Sequence, residues 1–239
     1  NLNSLNTNLG ELTSIQLGNT SPLLVKGAPD VPKTAVSIII PDKNKMEIEI
    51  TDAVYRDFEN VNLAPSKGNL YRDIDPSKIA YEYGQEYTKN GFYPGNLAEL
   101  QNPFIARDHR GQSIWIYPFQ YNPVTKVLRV YYSMNIRISQ TNNPGINEFS
   151  RTKSITKINQ QYHNIYNRFF LNYTTPKYTP VDEQGCMLIL APSQYMAAMQ
   201  PFVEWKNKIG IPTELVDVAT AGTTAAAIKT YVSNYYNGH

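Results

Sequence analysis

The sequence predicts a β-rich antiparallel sheet or sandwich, followed after a linker by the first strand–helix–strand–helix of a parallel α/β domain. Three observations carry this reading. Apolar residues alternate with a period of two up to about residue 140, the spacing of half-buried strands. A helical period then sets in and is cut by Asn172–Pro180, where two prolines push their predecessors to extended conformations. Beyond that break, short apolar runs alternate with helical segments, the order that gives parallel sheets.

In chain order, Val36, Ile38 and Ile40 alternate up to Pro41, and Met46, Ile48 and Ile50 alternate with Glu47 and Glu49. The spacing predicts a hairpin turning at Asp42–Lys45. Ile114, Ile116 and Pro118 lead through Asn122-Pro123-Val124-Thr125 to a long strand carrying Leu128, Val130, Tyr132, Met134, Ile136 and Ile138 on one face. These two strands are expected in one sheet with one side in water. Thr141–Gly145 breaks the pattern, and Ile155, Ile158, Tyr162, Ile165 and Phe169 then form one stripe of an amphipathic helix. Cys186–Ala191 reads as a strand buried on both faces. A helix over Ser193–Ile209 follows, with Pro201 kinking it or marking its first turn. Thr213–Val218 is the second strand, and Ile228, Tyr231, Val232 and Tyr235 mark a last helix. Two parallel strands and two helices do not close a layered sheet, so this domain is expected to continue in a segment elsewhere.

Composition removes several function classes. Of 239 residues, 41% are hydrophobic, enough for a core, and 18% are charged, below the usual quarter. A net charge of +2 without a Lys/Arg stripe excludes nucleic acid as a partner. The start at Asn1 has no basic n-region, and no run of 18 apolar residues occurs, so a transmembrane segment is not expected. If the protein is exported, its leader lies outside this sequence. The single cysteine, Cys186, rules out an intrachain disulfide. At the head of an apolar strand it reads as a small buried hydrophobe, not a nucleophile. His109, His163 and His239 lack metal-ligand spacing, Trp115 and Trp205 read as core anchors, and Asp42, Glu47, Glu49, Asp52 and Asp57 read as a solvated strand face, in no known calcium-loop spacing.

Lys177–Glu183, Met187–Ala191 and Phe202–Gly210 together resemble the start of the catalytic domain of gingipain-like cysteine peptidases. Gly27–Pro32, Arg110-Gly111 and Pro118–Asn122 resemble that family's N-terminal prodomain. The resemblance implies a prodomain over residues 1–177, with a C-terminal linker helix, that keeps a peptidase latent and assists its folding. Residues 178–239 are then the beginning of a caspase-like α/β domain. It further implies calcium in the catalytic domain, the remainder of that domain as partner, protein substrates, and export through the periplasm by the type IX route to the surface or surroundings of a Gram-negative bacterium. The family's catalytic His and Cys motifs do not occur before His239, so no catalytic residue is assigned here. A same-fold sortase or transpeptidase is the alternative within the family; a noncatalytic β-sandwich adhesin module is the alternative outside it.

Three sites follow. Arg107–Gln112 is polar, contains glycine and precedes a strand, the look of an exposed loop. It is either an ordinary turn or, as the resemblance implies, the carrier of an inhibitory plug, Arg110, for an acidic specificity pocket. Lys177, in the Pro-flanked stretch, is the expected maturation site, with Tyr178 as the new N-terminus. Arg168, near the end of the helical stripe, is the competing site.

Overall fold

The computed structural model describes residues 1–151, 157–174, 180–181 and 185–238. The chain divides into two compact units, one of residues 1–156 and 164–177, the other of residues 157–163 and 178–239.

The first unit is built from antiparallel strands. Strands β1 (Leu2–Thr7) and β2 (Gly10–Ile15) form a hairpin. They are followed by β3 (Ser21–Pro22), β4 (Pro32–Ile39), β5 (Met46–Phe58), β6 (Ala98–Leu100), β7 (Phe104–Ala106), β8 (His109–Ile116), β9 (Phe119–Asn122) and β10 (Val127–Gln140). One sheet has the order β3-β4-β8-β6, with β7 also on β8, and another the order β5-β10-β9. The predicted strands exist, but two predicted pairings do not. β4 pairs with β8 and β5 with β10, so Asp42–Lys45 carries the chain from one sheet to another instead of closing a hairpin. Likewise β8 and β10 lie in different sheets, and the hairpin partner of β10 is the short β9. A period of two fixes which face a side chain takes; it does not name the neighbouring strand.

The hairpin turn between β9 and β10 is set locally. The Asn122 carboxamide oxygen accepts N–H bonds from Val124 and Thr125 at 3.1 and 3.2 Å, and Lys126 takes a left-handed φ of 55°. Across from Tyr55 and Val54 the register skips Tyr132, a bulge. The ring is 70% exposed although it belongs to the apolar face by parity. The core comprises Val31, Val61, Leu63, Phe119, Tyr121 and Leu128. Val61 and Leu63 come from a stretch without regular structure, tied in by the Tyr121 and Tyr87 hydroxyls donating to the Val61 and Leu63 carbonyls at 2.7 and 2.8 Å.

Helix α1 (Gln160–Phe169) runs from residues of the second unit into residues of the first. Asn159 caps it, its side-chain oxygen accepting the N–H groups of Gln161 and Tyr162. The predicted stripe begins at Ile155, which lies outside the described residues. In the second unit β11 (Met187–Ala191), α2 (Met196–Lys208) and β12 (Thr213–Asp217) form a strand–helix–strand with parallel pairing. Short α3 (Val218–Ala221) and α4 (Ala225–Gly238) follow. The Asp217 side chain caps α3 through the Ala219 N–H at 2.8 Å and accepts from the Ser193 hydroxyl, two bonds that hold its carboxyl below the ordinary range. Of the two readings of Pro201, the first turn is set aside, since the residue lies inside α2. Two expectations fail in detail. Trp205 is 51% exposed instead of anchoring a core. Cys186 is exposed just ahead of β11, its sulfur 3.4 Å from the Tyr235 hydroxyl.

Candidate functional site

β7 and β8 meet at a two-residue turn, Arg107-Asp108, with Ala106 opposite His109. Arg107 takes a left-handed φ of 49°, uncommon for a residue other than glycine or asparagine. Its side chain is 45% exposed and lies 3.8 Å from the Asp108 carboxylate. The exposed basic group of this segment is thus at the hairpin tip.

Arg110 is three residues further on and its setting is the reverse of the predicted one. It belongs to β8, opposite Ile105, and is completely buried. Its Nε donates to the Asn147 carbonyl at 3.0 Å, Nη1 to Pro41 and Asn44 at 2.8 and 2.9 Å, and Nη2 to Ile146 at 2.7 Å. A guanidinium has five N–H groups in a rigid fork. Here four carbonyls take most of them, and the segments before and after the β5–β10 pair are drawn together on one side chain. The fit leaves no spare room: a Cβ on Gly145 would lie 2.3 Å from the Asn44 oxygen and 2.5 Å from Arg110 Nη2. Alternation along the strand explains the error. In the predicted loop Arg110 would face water; in a strand it shares an inward face with Gln112 and Ile114, both buried.

Beside the turn the chain returns as the last turns of α1 and the residues after it. Tyr166 and Phe170 are 2% and 3% exposed. The Tyr166 hydroxyl donates to Asp108 at 3.0 Å; burial first, and then this bond, push the phenol far above its ordinary range. Phe170 stacks on Phe104 with ring planes 11° apart. It fills the space that Gly111 leaves open, since a Cβ there would be 2.6 Å from the Phe170 ring. His109 is surrounded by aromatic rings, edge-on to Tyr166, Tyr173 and Phe170 at 4.7, 5.8 and 6.1 Å. Its burial lowers its pKa, partly offset by the Asp108 carboxylate. Finally Leu171 N–H donates to the Ser37 carbonyl at 2.9 Å. The Asn172 carboxamide spans Ile39, accepting its N–H at 2.7 Å and donating to its carbonyl at 2.8 Å. Sequence reading misses Phe170 and Asn172 because both stand next to the proline-rich break; Gly111, the one residue of β8 without a side chain, is the available signal.

Arg168 is exposed in the last turn of α1. Lys177 and Tyr178, the other predicted processing residues, lie outside the described residues. Among the described residues no group of three or more His, Cys, Asp or Glu side chains could hold a metal ion, and no helix is long and apolar enough to cross a membrane. Several of the acidic residues weighed above face arginines: Asp57 pairs with Arg129 through two bonds of 2.8 Å, Glu49 with Arg137, and Asp42 with Arg151.

The comparison with known proteins follows the division of the chain. Propeptide_C25 matches residues 1–175 and Peptidase family C25 matches residues 181–239. Gingipain R1 of Porphyromonas gingivalis is 38% identical over 216 residues, covering 88% of this chain and 21% of that protein. Lys-gingipain HG66 of the same organism is 24% identical over 250 residues, 99% of this chain and 14% of the relative. The chain therefore spans between about an eighth and a third of the curated relatives it matches. A solved complex of the Porphyromonas gingivalis RgpB pro- and mature domains superposes with a TM-score of 0.66 at 33% identity, covering 73% of this chain and 87% of that one. A structure on the zymogenic latency of gingipain K, at 22% identity and a TM-score of 0.51, covers 59% and 80% and shares the fold. With antiparallel sheets over the first match and a parallel strand–helix–strand over the second, the chain belongs to the C25 peptidases, as a gingipain-type propeptide joined to the start of its peptidase domain.

Proposed function

We propose that the first unit keeps a secreted cysteine endopeptidase latent and assists its folding until the connection near Lys177 is cut. The observation that carries this is the succession of a propeptide match over residues 1–175 and a peptidase match from residue 181, with the solved complex of RgpB pro- and mature domains as precedent for the pairing. The partner is the remainder of the peptidase domain and the substrates are proteins. Calcium in that domain and export by the type IX route to the cell surface or beyond belong to the same reading. Lys177, ahead of Tyr178-Thr179-Pro180, is the processing site in this proposal, with Arg168 as the competitor.

The plug moves by three residues. A guanidinium whose donors are already taken by four buried carbonyls is not available to an acidic pocket. Arg107, with a side chain 45% exposed at the hairpin tip, takes the plug's place in this proposal, and Arg110 fixes the strand behind it. Inhibition of the mature peptidase by the first unit tests this. Arg107→Ala is expected to raise the inhibition constant by at least about tenfold, the loss of one charge-assisted contact in a desolvated pocket. Arg107→Lys is expected to retain part of the inhibition. An unchanged constant for both, with folding intact, would remove the hairpin tip from the mechanism.

A further inference from the structure

The residues after α1 occupy a place on the first unit that the strands alone leave incomplete. One edge of β4 is paired with β8 through Ser37, Ile38 and Ile39. On the other edge, among the described residues, the Ser37 carbonyl and both backbone groups of Ile39 are met by Leu171 and the Asn172 carboxamide. Ser37 and Phe170 form a single parallel bridge, and the Asn172 side chain supplies what the next backbone pair would. Two residues before it the Phe170 ring is sunk over Gly111 against Phe104. A buried ring and a side-chain clamp two positions later make a short recognition element of the form Phe-x-Asn. Main-chain bonds supply attachment here and a pocket supplies selectivity.

We propose that this edge of β4 is a peptide-docking site whose resident ligand is the stretch Phe169–Tyr173, and that hydrolysis at Arg168 leaves the C-terminal product held to the N-terminal one through it. Hydrolysis of the Arg168–Phe169 bond by a trypsin-class protease consumes one water and leaves a carboxylate on Arg168 and an ammonium on Phe169. None of the docking contacts is to either new terminus. The hydrogen bond from Phe170 N–H to the Tyr166 carbonyl at 2.9 Å then crosses between two chains. A cut after Lys177 has a different consequence: ligand and β4 stay on one product, and the site ties nothing together. The position of the cut, not its occurrence, decides whether the products stay joined through this edge.

The inference deepens the zymogen reading but is read out separately, because its test scores association of the nicked chain and not inhibition. The full chain is exposed briefly to trypsin and examined by native mass spectrometry, the fragment masses reporting where each molecule was cut. Molecules nicked only at Arg168 are expected to travel as one particle. In the Phe170→Ala/Asn172→Ala chain they are expected to dissociate on dilution at about a hundredfold higher protein concentration, that is, with an apparent affinity about a hundredfold weaker. Molecules nicked only after Lys177 are expected to respond to neither substitution. Hydrogen exchange along β8 verifies that the double variant is folded; if it is not, Asn172→Ala alone, which keeps the buried ring, takes its place and must free the Ile39 amide to exchange. Separation of the wild-type Arg168 products, equal retention in wild type and variant, or a chain never cut at Arg168 would each overturn the proposal.

Discussion

The two units bury their polar and apolar groups by different means. In the first, Arg110, Gln112, Gln120, Asn122 and Ser66 are buried together with a core of large side chains, and Arg110, Gln112 and Gln120 reach backbone carbonyls of segments that are not strands. In the second, the buried hydrophobic residues among those described are Ala191, Val203 and Ala221, while Phe202, Trp205, Ile209, Val232 and Tyr236 are exposed. A strand as apolar as β11 is half-buried over most of its length. The first unit thus uses polar side chains as internal fasteners for irregular chain. The second presents apolar surface of a kind that small domains normally cover. Composition does not distinguish these cases, because it counts residues without saying what faces them.

The largest expected effect tests the fasteners. Arg110→Met removes a buried charge, which by itself is favourable, but strands four carbonyls that have no other donor of that shape. A loss of about 3–5 kcal/mol is expected in the urea unfolding of the first unit, several carbonyls left without a donor at about 1–3 kcal/mol each less what water and relaxation recover, with amides near Asn44 and Asn147 exchanging faster. A loss below about 1 kcal/mol would mean that water replaces the guanidinium without cost, and the contrast between the units would weaken accordingly.

How much of this was legible follows from range. Local signals succeed: the strands around Ile114 and Leu128, the helix ending near Phe169, and the parallel order of β11 and β12 are all where periodicity puts them. Partner choice fails, since β4 and β5 carry equally good alternation and their separation into two sheets depends on Arg110 gathering Pro41, Asn44, Ile146 and Asn147. That arrangement joins residues more than 60 apart in sequence, beyond any window of pattern reading. The same holds for Asn172, whose contacts with Ile39 span 133 positions. An arginine beside a glycine suggested a turn; the turn is there, three residues earlier, at Arg107-Asp108.

A smaller effect comes from His109. Tyr166, Phe170 and Tyr173 surround its ring, while Asp108, Asp42 and Arg151 are the charged groups acting on it. Desolvation, the main cause, places its folded pKa below the ordinary value of about 6.5. A depressed base makes the folded state bind fewer protons than the unfolded one, so stability rises with pH through this window. The contribution is complete above the unfolded pKa and is lost as pH falls through that value to the folded one. The midpoint of thermal unfolding of the first unit is expected to drop between pH 7.5 and pH 5 by an amount, on the order of a few degrees, that His109→Phe reduces. A pH profile identical in the two chains would assign the acid sensitivity to the carboxylates instead.

The smallest effect is expected at Trp205, in one of the segments that carry the family resemblance. The ring lies on α2 with Phe202 5.8 Å away and the Lys206 ammonium 4.7 Å from its centre, but half of it meets solvent. Truncating a buried tryptophan costs about 3–5 kcal/mol, because both the transfer of the ring and the cavity left behind count against the folded state. Here the transfer contribution is roughly halved and no closed cavity forms, so Trp205→Ala is expected to cost about 1 kcal/mol or less in this chain. The cation–π contact with Lys206 adds little at an exposed site. Urea unfolding followed through the second unit measures it. A cost near that of a buried tryptophan would show that the ring is covered in solution, and that the difference in burial between the two units is smaller than their exposed side chains indicate.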